Sequence, residues 1–272
     1  MGKSAPRPGI YKKIAKKLEL PEEYYYTTIE TDDFEALELQ TLVEGMVMRQ
    51  QWEEAEKILL QLESRLDLSN KWNKQYVEER KYGIIRGKGI ISLEECVEYL
   101  INLLQLTMPQ VVEESWKCDK FWKHFFRKTE MSILMQVSDI FSDLGKYEET
   151  ACLLEQMYQY YKEKKINYDM QYRMVLLIVG RLSSALLECN NFKKALFYIE
   201  EGIRITIISG NKRLLSGLIN NKAHALEYLG QKEASLKYYR LAYYCADLME
   251  SKIVKISKCA YERIIGKSAE WY

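Results

Sequence analysis

Leu144-Gly145-Lys146-Tyr147-Glu148-Glu149-Thr150 is a glycine turn followed by an aromatic residue and then by a small residue that opens a helix. Turns of the same kind return at 190–195 and 230–235, and an earlier one lies at 50–55. The turn positions Gly145, Asn190 and Gly230 are 45 and 40 residues apart. Repetition at such intervals is the sequence signature of a solenoid, so this stretch predicts an array of helical hairpins.

The helices beside these turns share a register of small and large residues. A small residue stands seven residues before each turn, as is needed where two helices cross closely. A large apolar residue follows it three positions later. The small residues are Ser138, Ser183 and Ala223, and the large ones are Phe141, Leu186 and Leu226. This register resembles the tetratricopeptide repeat. The resemblance implies an all-α fold, a right-handed α-solenoid of tetratricopeptide-like hairpins. Because the spacing exceeds that family's usual unit, we expect helices about one turn longer.

The predicted array has five hairpins and a C-terminal capping helix. The first two hairpins are expected at 34–49 with 52–66 and at 70–86 with 93–106. Asp32 with Glu35, and Ser92 with Glu95, have the spacing of capping boxes at helix starts.

Pro109 is expected to end the second hairpin, since proline cannot continue a helix. The segment 111–128 is rich in tryptophan and phenylalanine and is expected to pack as a helix on the third hairpin. Its aromatic part, 116–126, suggests a homodimer; the alternative is that these rings fill the core between the second and third hairpins. A helix at 251–265 is expected to cover the last apolar face of the array.

Composition limits the possible partners and compartments. Forty basic side chains against 39 acidic ones give a net charge of +1, so no global field draws the chain to nucleic acid. We expect no secretory leader, and the longest strongly apolar run, 174–179, is far too short to span a bilayer. These features predict a cytoplasmic protein without a membrane segment. The six cysteines are interpreted as buried reduced thiols rather than disulfides or metal ligands; they are residues 96, 118, 152, 189, 245 and 259.

Motifs that carry catalysis are missing. The only histidines are His124 and His224, and no zinc-protease motif, nucleophile elbow or phosphate-binding glycine loop occurs. Adjacent acidic pairs such as Glu148-Glu149 point about 100° apart on a helix, which does not suit acid–base catalysis. We therefore expect neither an enzyme nor a protein with a cofactor or a metal site.

The N-terminal 30 residues differ from the repeats. They contain Gly2-Lys3-Ser4-Ala5-Pro6, then 12–20 (Lys-Lys-Ile-Ala-Lys-Lys-Leu-Glu-Leu) and then Glu23-Tyr24-Tyr25. This order resembles the end of an Xre/Cro-type helix-turn-helix domain. With the repeats that follow, the chain resembles the Gram-positive peptide-pheromone regulators of the Rgg and PlcR type. The resemblance implies a helix-turn-helix remnant and linker helix at 1–30 and a peptide-sensing repeat domain at 31–272. The helices that would enter a major groove are not among residues 1–272, so we do not expect specific DNA binding of this chain as given.

The first helix of each hairpin should line the concave surface of the array, where a ligand would bind. The candidate groove residues are Gln40, Glu44, Asp139, Asp143, Ser184, Glu188, Asn220, His224, Glu227 and Tyr228. An asparagine such as Asn220 suits a peptide main chain, because its amide donates and accepts together. The carboxylates suggest a ligand with a free amine, lysine or arginine. The alternative for each residue is that it simply belongs to the solvent-exposed face of an amphipathic helix.

Three functional hypotheses remain at this point. The first is a regulatory sensor that binds a short linear peptide. The second is an assembly adaptor that binds a segment of a partner protein. The third is a fragment of an intact DNA-binding regulator of the Xre family.

Overall fold

The computed structural model of the protein describes residues 13, 17, 28–110, 126–163, 168–248 and 253–265. No strand occurs within these ranges, which confirms the all-α prediction. The helices in chain order are α1 (Phe34–Met48), α2 (Trp52–Arg65), α3 (Lys71–Gly87), α4 (Leu93–Gln105), α5 (Lys128–Asp143), α6 (Tyr147–Glu163), α7 (Tyr168–Glu188), α8 (Phe192–Ser209), α9 (Leu215–Tyr228), α10 (Lys232–Leu248) and α11 (Ile253–Ile265), with a short 3-10 turn at Lys212–Leu214 before α9.

The chain forms two compact units, residues 1–144 and 145–272, here called unit 1 and unit 2. In unit 1, α1 packs on α2 and α3 on α4, while α5 lies against both α3 and α4. In unit 2 each helix from α6 to α11 packs on the next, and α9 also contacts α7 and α11. Contacts between neighbouring first helices are what stacked hairpins produce. The predicted boundary at residue 30 stays a prediction.

The repeated turns share one backbone geometry. Each places a single residue in the left-handed region, where φ is 60° at Gln50, 72° at Gly145, 56° at Asn190 and 77° at Gly230. In three of the turns the next N–H reaches back to the carbonyl five residues earlier: Gln51 to Met46 at 3.0 Å, Asn191 to Leu186 at 2.8 Å and Gln231 to Leu226 at 2.9 Å. This bond defines the Schellman ending of a helix, which satisfies its last carbonyls. The repeat predicted from the turns is therefore confirmed.

Small residues lie where the helices cross most closely. Ser138, Ser183 and Ala223 are fully buried, as the register predicts. The small residue after each turn is buried too; these are Ala55, Thr150, Ala195 and Ser235. A related close approach occurs in unit 1, where a Cβ added to Gly87 would stand 2.6 Å from the ring of Trp52. Small side chains at these places let neighbouring helices approach each other.

Helix boundaries match the predictions closely, with two corrections. The cap of α1 is Asp33 rather than Asp32, because the Asp33 carboxylate accepts from the Glu35 N–H at 2.9 Å. The second helix of the second hairpin ends at Gln105, before Pro109, which is itself helical. The predicted Ser92–Glu95 capping box is present, and α11 provides the expected C-terminal helix.

Several predictions concern residues that the structure does not describe. They include the aromatic segment up to residue 125 and most of the N-terminal 27 residues. Of the described cysteines, Cys96 is buried and Cys259 is exposed, so the expectation of uniform burial is wrong for Cys259. No helix in the described ranges is long and apolar enough to cross a bilayer.

Candidate ligand-binding faces

The candidate groove residues fall into two groups, one in each unit. Gln40 and Glu44 on α1 and Asp139 and Asp143 on α5 belong to unit 1. The unit 2 group lies on α7 and α9 and comprises Ser184, Glu188, Asn220, His224, Glu227 and Tyr228.

In unit 1 the candidate residues are engaged with their neighbours. The Gln40 amide donates to the Glu44 carboxylate at 3.1 Å, and the other Glu44 oxygen lies 3.4 Å from the Lys128 ammonium. Asp143 forms an ion pair with Arg86 at 3.1 Å. Asp139 is half-buried and also interacts within the protein. Internal cations thus offset part of the acidic charge that the sequence suggests for a cationic ligand.

In unit 2 the last helix covers part of the predicted face. The Asn220 side-chain oxygen accepts from the Ser257 hydroxyl of α11 at 2.8 Å, and Ser257 is fully buried. Both Glu227 oxygens lie 2.8 Å from one guanidinium nitrogen of Arg263, and one also accepts from the Tyr239 hydroxyl at 2.9 Å. The sequence predicts both residues on an open groove. The structure corrects this, because α11 packs against this part of α9. Their role in ligand binding stays a prediction.

A hydrogen bond between two side chains joins α7 to α9, and the sequence alone does not predict it. The Ser184 hydroxyl donates to the Gly180 carbonyl at 3.1 Å and accepts from the Asn221 amide at 3.0 Å. Asn221 directly follows the predicted Asn220, so the helical register alone assigns it to a different stripe. A side-chain amide has a second N–H and an oxygen acceptor beyond this one bond.

An aromatic cluster lies at the end of α9. The Tyr228 ring stacks on Phe192 with centroids 4.7 Å apart and meets the His224 ring edge-on at 4.9 Å. Tyr228 is 56% exposed. A partly exposed aromatic pair offers apolar area at low conformational cost together with a polar hydroxyl. The cluster therefore suits contact with a large apolar side chain.

His224 is half-buried between charged neighbours. Burial lowers its pKa below the usual value. The charges of Glu227 and Glu188 oppose this shift, and Arg263 adds to it. At neutral pH the imidazole is thus uncharged, with one nitrogen able to donate and the other to accept.

Glu188, at the end of α7, is the acidic candidate that remains open. It is exposed and forms no hydrogen bond or ion pair with any residue in the described ranges. Its charge raises the pKa of His224, against the effect of burial, so Glu188 lies near the imidazole that contacts Tyr228. We call Ser184, Glu188, Asn221, His224 and Tyr228 the open face. Within the described residues no group of His, Cys, Asp or Glu is arranged to hold a metal ion.

Comparison with known proteins identifies the fold. No family model matches the chain, and no curated protein matches it by sequence. A similar solved structure is Bacillus thuringiensis PlcR in complex with the peptide PapR7 and DNA, at 17% identity over 97% of this chain and 86% of that one, with a TM-score of 0.61. PlcR in its apo form gives 14% identity over 86% and 78%, with a TM-score of 0.60.

A second kind of protein has the same fold. A putative kinesin light chain of Podosopora anserina with nearly identical tetratricopeptide-like repeats gives 14% identity over 79% of this chain and 96% of that one, with a TM-score of 0.53. The chain is thus an all-α tetratricopeptide-like solenoid. The predicted resemblance to the repeat domain of PlcR-type regulators is confirmed for the fold.

Proposed function

We propose that this chain is a cytoplasmic peptide-binding scaffold, the sensing part of a bacterial transcriptional regulator, and that its ligand is a short linear peptide. The observation that carries the proposal is the open face of unit 2. There, Tyr228 is partly exposed, and Glu188 is exposed and forms no ion pair within the described residues. The likeness of the fold to PlcR, which was solved with a peptide, supports the same assignment.

The side chains of the open face define the ligand. An apolar peptide side chain would pack on the Tyr228–Phe192 pair, and a lysine, arginine or free amine would pair with Glu188. The Asn221 amide would bond to the main chain between them. We expect a peptide with a large apolar residue and a cationic group within a few residues of each other.

The test is selection from a bead-bound library of random heptapeptides, followed by calorimetric titration of the resynthesised hits. Tyr228→Ala should weaken binding about thirtyfold, as for a central aromatic contact. Glu188→Gln should weaken it about threefold to fivefold, the range of an exposed ion pair. The matched control is Glu98→Gln on α4, an exposed helical glutamate of unit 1. Hits without a cationic group, or hits that bind Tyr228→Ala as well as the wild type, would contradict the proposal.

A further inference from the structure

A short non-helical segment lies in front of α1, and a side chain of α3 forms hydrogen bonds to its main chain. Asn73, in the first turn of α3, is fully buried. Its side-chain oxygen accepts from the Glu30 N–H at 2.7 Å, and its side-chain nitrogen donates to the Glu30 carbonyl at 3.0 Å. A single amide thus pairs with the donor and the acceptor of one residue, as one strand residue does with its partner. The segment is held as a bound peptide would be.

The side chains of this segment are recognised as well. Ile29 is 1% exposed and belongs to the core formed with α1, α2 and α3. One Glu30 oxygen is 2.9 Å from the Arg127 guanidinium, and the other accepts from the Asn70 amide at 2.9 Å. The surrounding residues therefore fit an aliphatic side chain followed by a carboxylate side chain.

The residues around Glu30 are fixed by interactions of their own. The Asn70 oxygen caps α3 by accepting from the Trp72 N–H at 2.9 Å, which leaves its amide nitrogen for Glu30. The Arg127 guanidinium lies 3.9 Å from the centroid of the Trp72 ring and is almost fully buried. Arg127 is also the N-cap residue of α5, and its main-chain N–H donates to the Glu130 carboxylate. Stacked and capped side chains of this kind are preorganised to bind a carboxylate.

We propose that Asn70, Trp72, Asn73 and Arg127 form a peptide site that recognises an aliphatic–glutamate pair, and that Ile29-Glu30 of this chain is its resident ligand. The site joins the starts of α3 and α5 within unit 1. It is separate from the open face of unit 2, so the two proposals stand or fall independently. Because the resident segment is tethered, its effective concentration excludes a free peptide until the segment is released.

The test releases the resident ligand and offers the same sequence in trans. The full chain with Ile29→Ser and Glu30→Lys is titrated in a calorimeter with a synthetic peptide of residues 27–34, Thr-Thr-Ile-Glu-Thr-Asp-Asp-Phe. We expect saturable binding to this variant and none to the wild type. The peptide carrying Glu30→Lys should not bind, and adding Arg127→Met to the variant should weaken binding by at least about tenfold. A variant that melts cooperatively yet gives no binding overturns the proposal.

A second measurement covers the case in which the released variant does not fold. Hydrogen exchange of the Glu30 amide is followed in the wild type, in Asn73→Ala and in Glu30→Gln. Loss of the amide clamp should accelerate exchange at residue 30 by about tenfold to a hundredfold, and loss of the carboxylate should accelerate it less. The control is Asn102→Ala, an exposed asparagine on α4. Unchanged exchange in Asn73→Ala would overturn the proposal.

Discussion

Unit 1 and unit 2 are built from the same kind of hairpin but bury different polar groups. The buried polar residues of unit 1 include amides and charges, namely Asn73, Gln75, Glu79, Arg127 and Glu130. In unit 2 the buried polar residues in the described ranges are all hydroxyl-bearing, namely Thr150, Ser183, Thr206, Ser216, Ser235 and Ser257. A serine or threonine can bond to a carbonyl of its own helix, as Ser183 does to Gly180 at 2.8 Å. A buried amide or charge instead needs partners from other segments.

The buried polar groups of unit 1 bond to other helices. In unit 1, Gln75 donates to the Leu103 carbonyl and to Thr107, both at 2.8 Å, and Glu79 accepts from Ser132 at 2.9 Å. These bonds tie α3 to the helices that follow it. In unit 2 the larger polar groups of α7 and α9 lie nearer the surface, where Glu188 is exposed and Asn221 is half-buried. Unit 1 thus buries amides and charged groups in contacts between its own helices, whereas unit 2 keeps such groups nearer its surface.

The sharpest test compares two asparagines. Asn73→Ala removes three hydrogen bonds from a fully buried site, to both main-chain groups of Glu30 and to the Asp67 carbonyl. We expect it to lower the free energy of unfolding by about 3 kcal/mol, because the freed groups stay buried. Asn220→Ala removes one bond, to Ser257, and should cost about 1 kcal/mol. Urea denaturation measures both, and equal losses would contradict the contrast between the units.

A close helix contact in unit 1 gives the next largest effect. Gly87→Ala drives a Cβ into the Trp52 ring, and we expect a loss of about 2 kcal/mol from overpacking. Gly83 lies in the same helix with nothing within 4 Å of an added Cβ. Gly83→Ala should therefore stabilise the protein, by about 0.5 to 1 kcal/mol. Thermal denaturation should place the two variants on opposite sides of the wild type.

Buried Glu130 should make unit 1 sensitive to rising pH. Its pKa is raised above the usual value, with burial as the main cause, so the protonated form is favoured in the folded state. This contribution to stability is present below the unfolded pKa, near 4.5, and is lost as the pH rises through the folded pKa. Relative to Glu130→Gln, the wild type should lose stability as the pH rises from 4.5 to 7. A difference between the two proteins that stays constant over this range would refute the assignment.

His224 should give unit 2 the opposite dependence on pH. Its pKa is lowered by burial, so the folded state favours the uncharged ring. The contribution is present above the unfolded pKa, near 6.5, and is lost as the pH falls through the folded pKa. Relative to His224→Gln, the wild type should lose stability as the pH falls below 6.5. Parallel denaturation series for wild type and variant test the sign.

Much of the fold follows from local sequence. The turns are predictable because Gly145, Gly230 and Asn190 tolerate the left-handed backbone that ends a helix. Ala223 and Leu226, the small and the large residue that the register predicts for α9, are both buried. Both features depend on residues within a few positions of one another.

The sites depend on contacts between residues that are far apart in the sequence, and such contacts are harder to predict from it. Periodicity identifies the face of α9 that carries Asn220 but not the helix that lies against it, and Ser257 is 37 residues away. The pairing of Asn73 with Glu30 spans 43 residues and involves main-chain groups, which leave no mark in the sequence.

The bond between Glu30 and Arg127 also has a consequence for biosynthesis, because it joins residues 97 positions apart. Hairpins close through neighbouring residues and form early, whereas this pair must wait for both of its members. At a ribosomal rate of roughly 5 to 20 residues per second, Arg127 is added about 5 to 20 seconds after Glu30. During that interval Ile29 and Glu30 are already synthesised but lack their guanidinium partner. A nascent chain halted before residue 127 should therefore expose this segment to proteases, and one released after α5 should protect it.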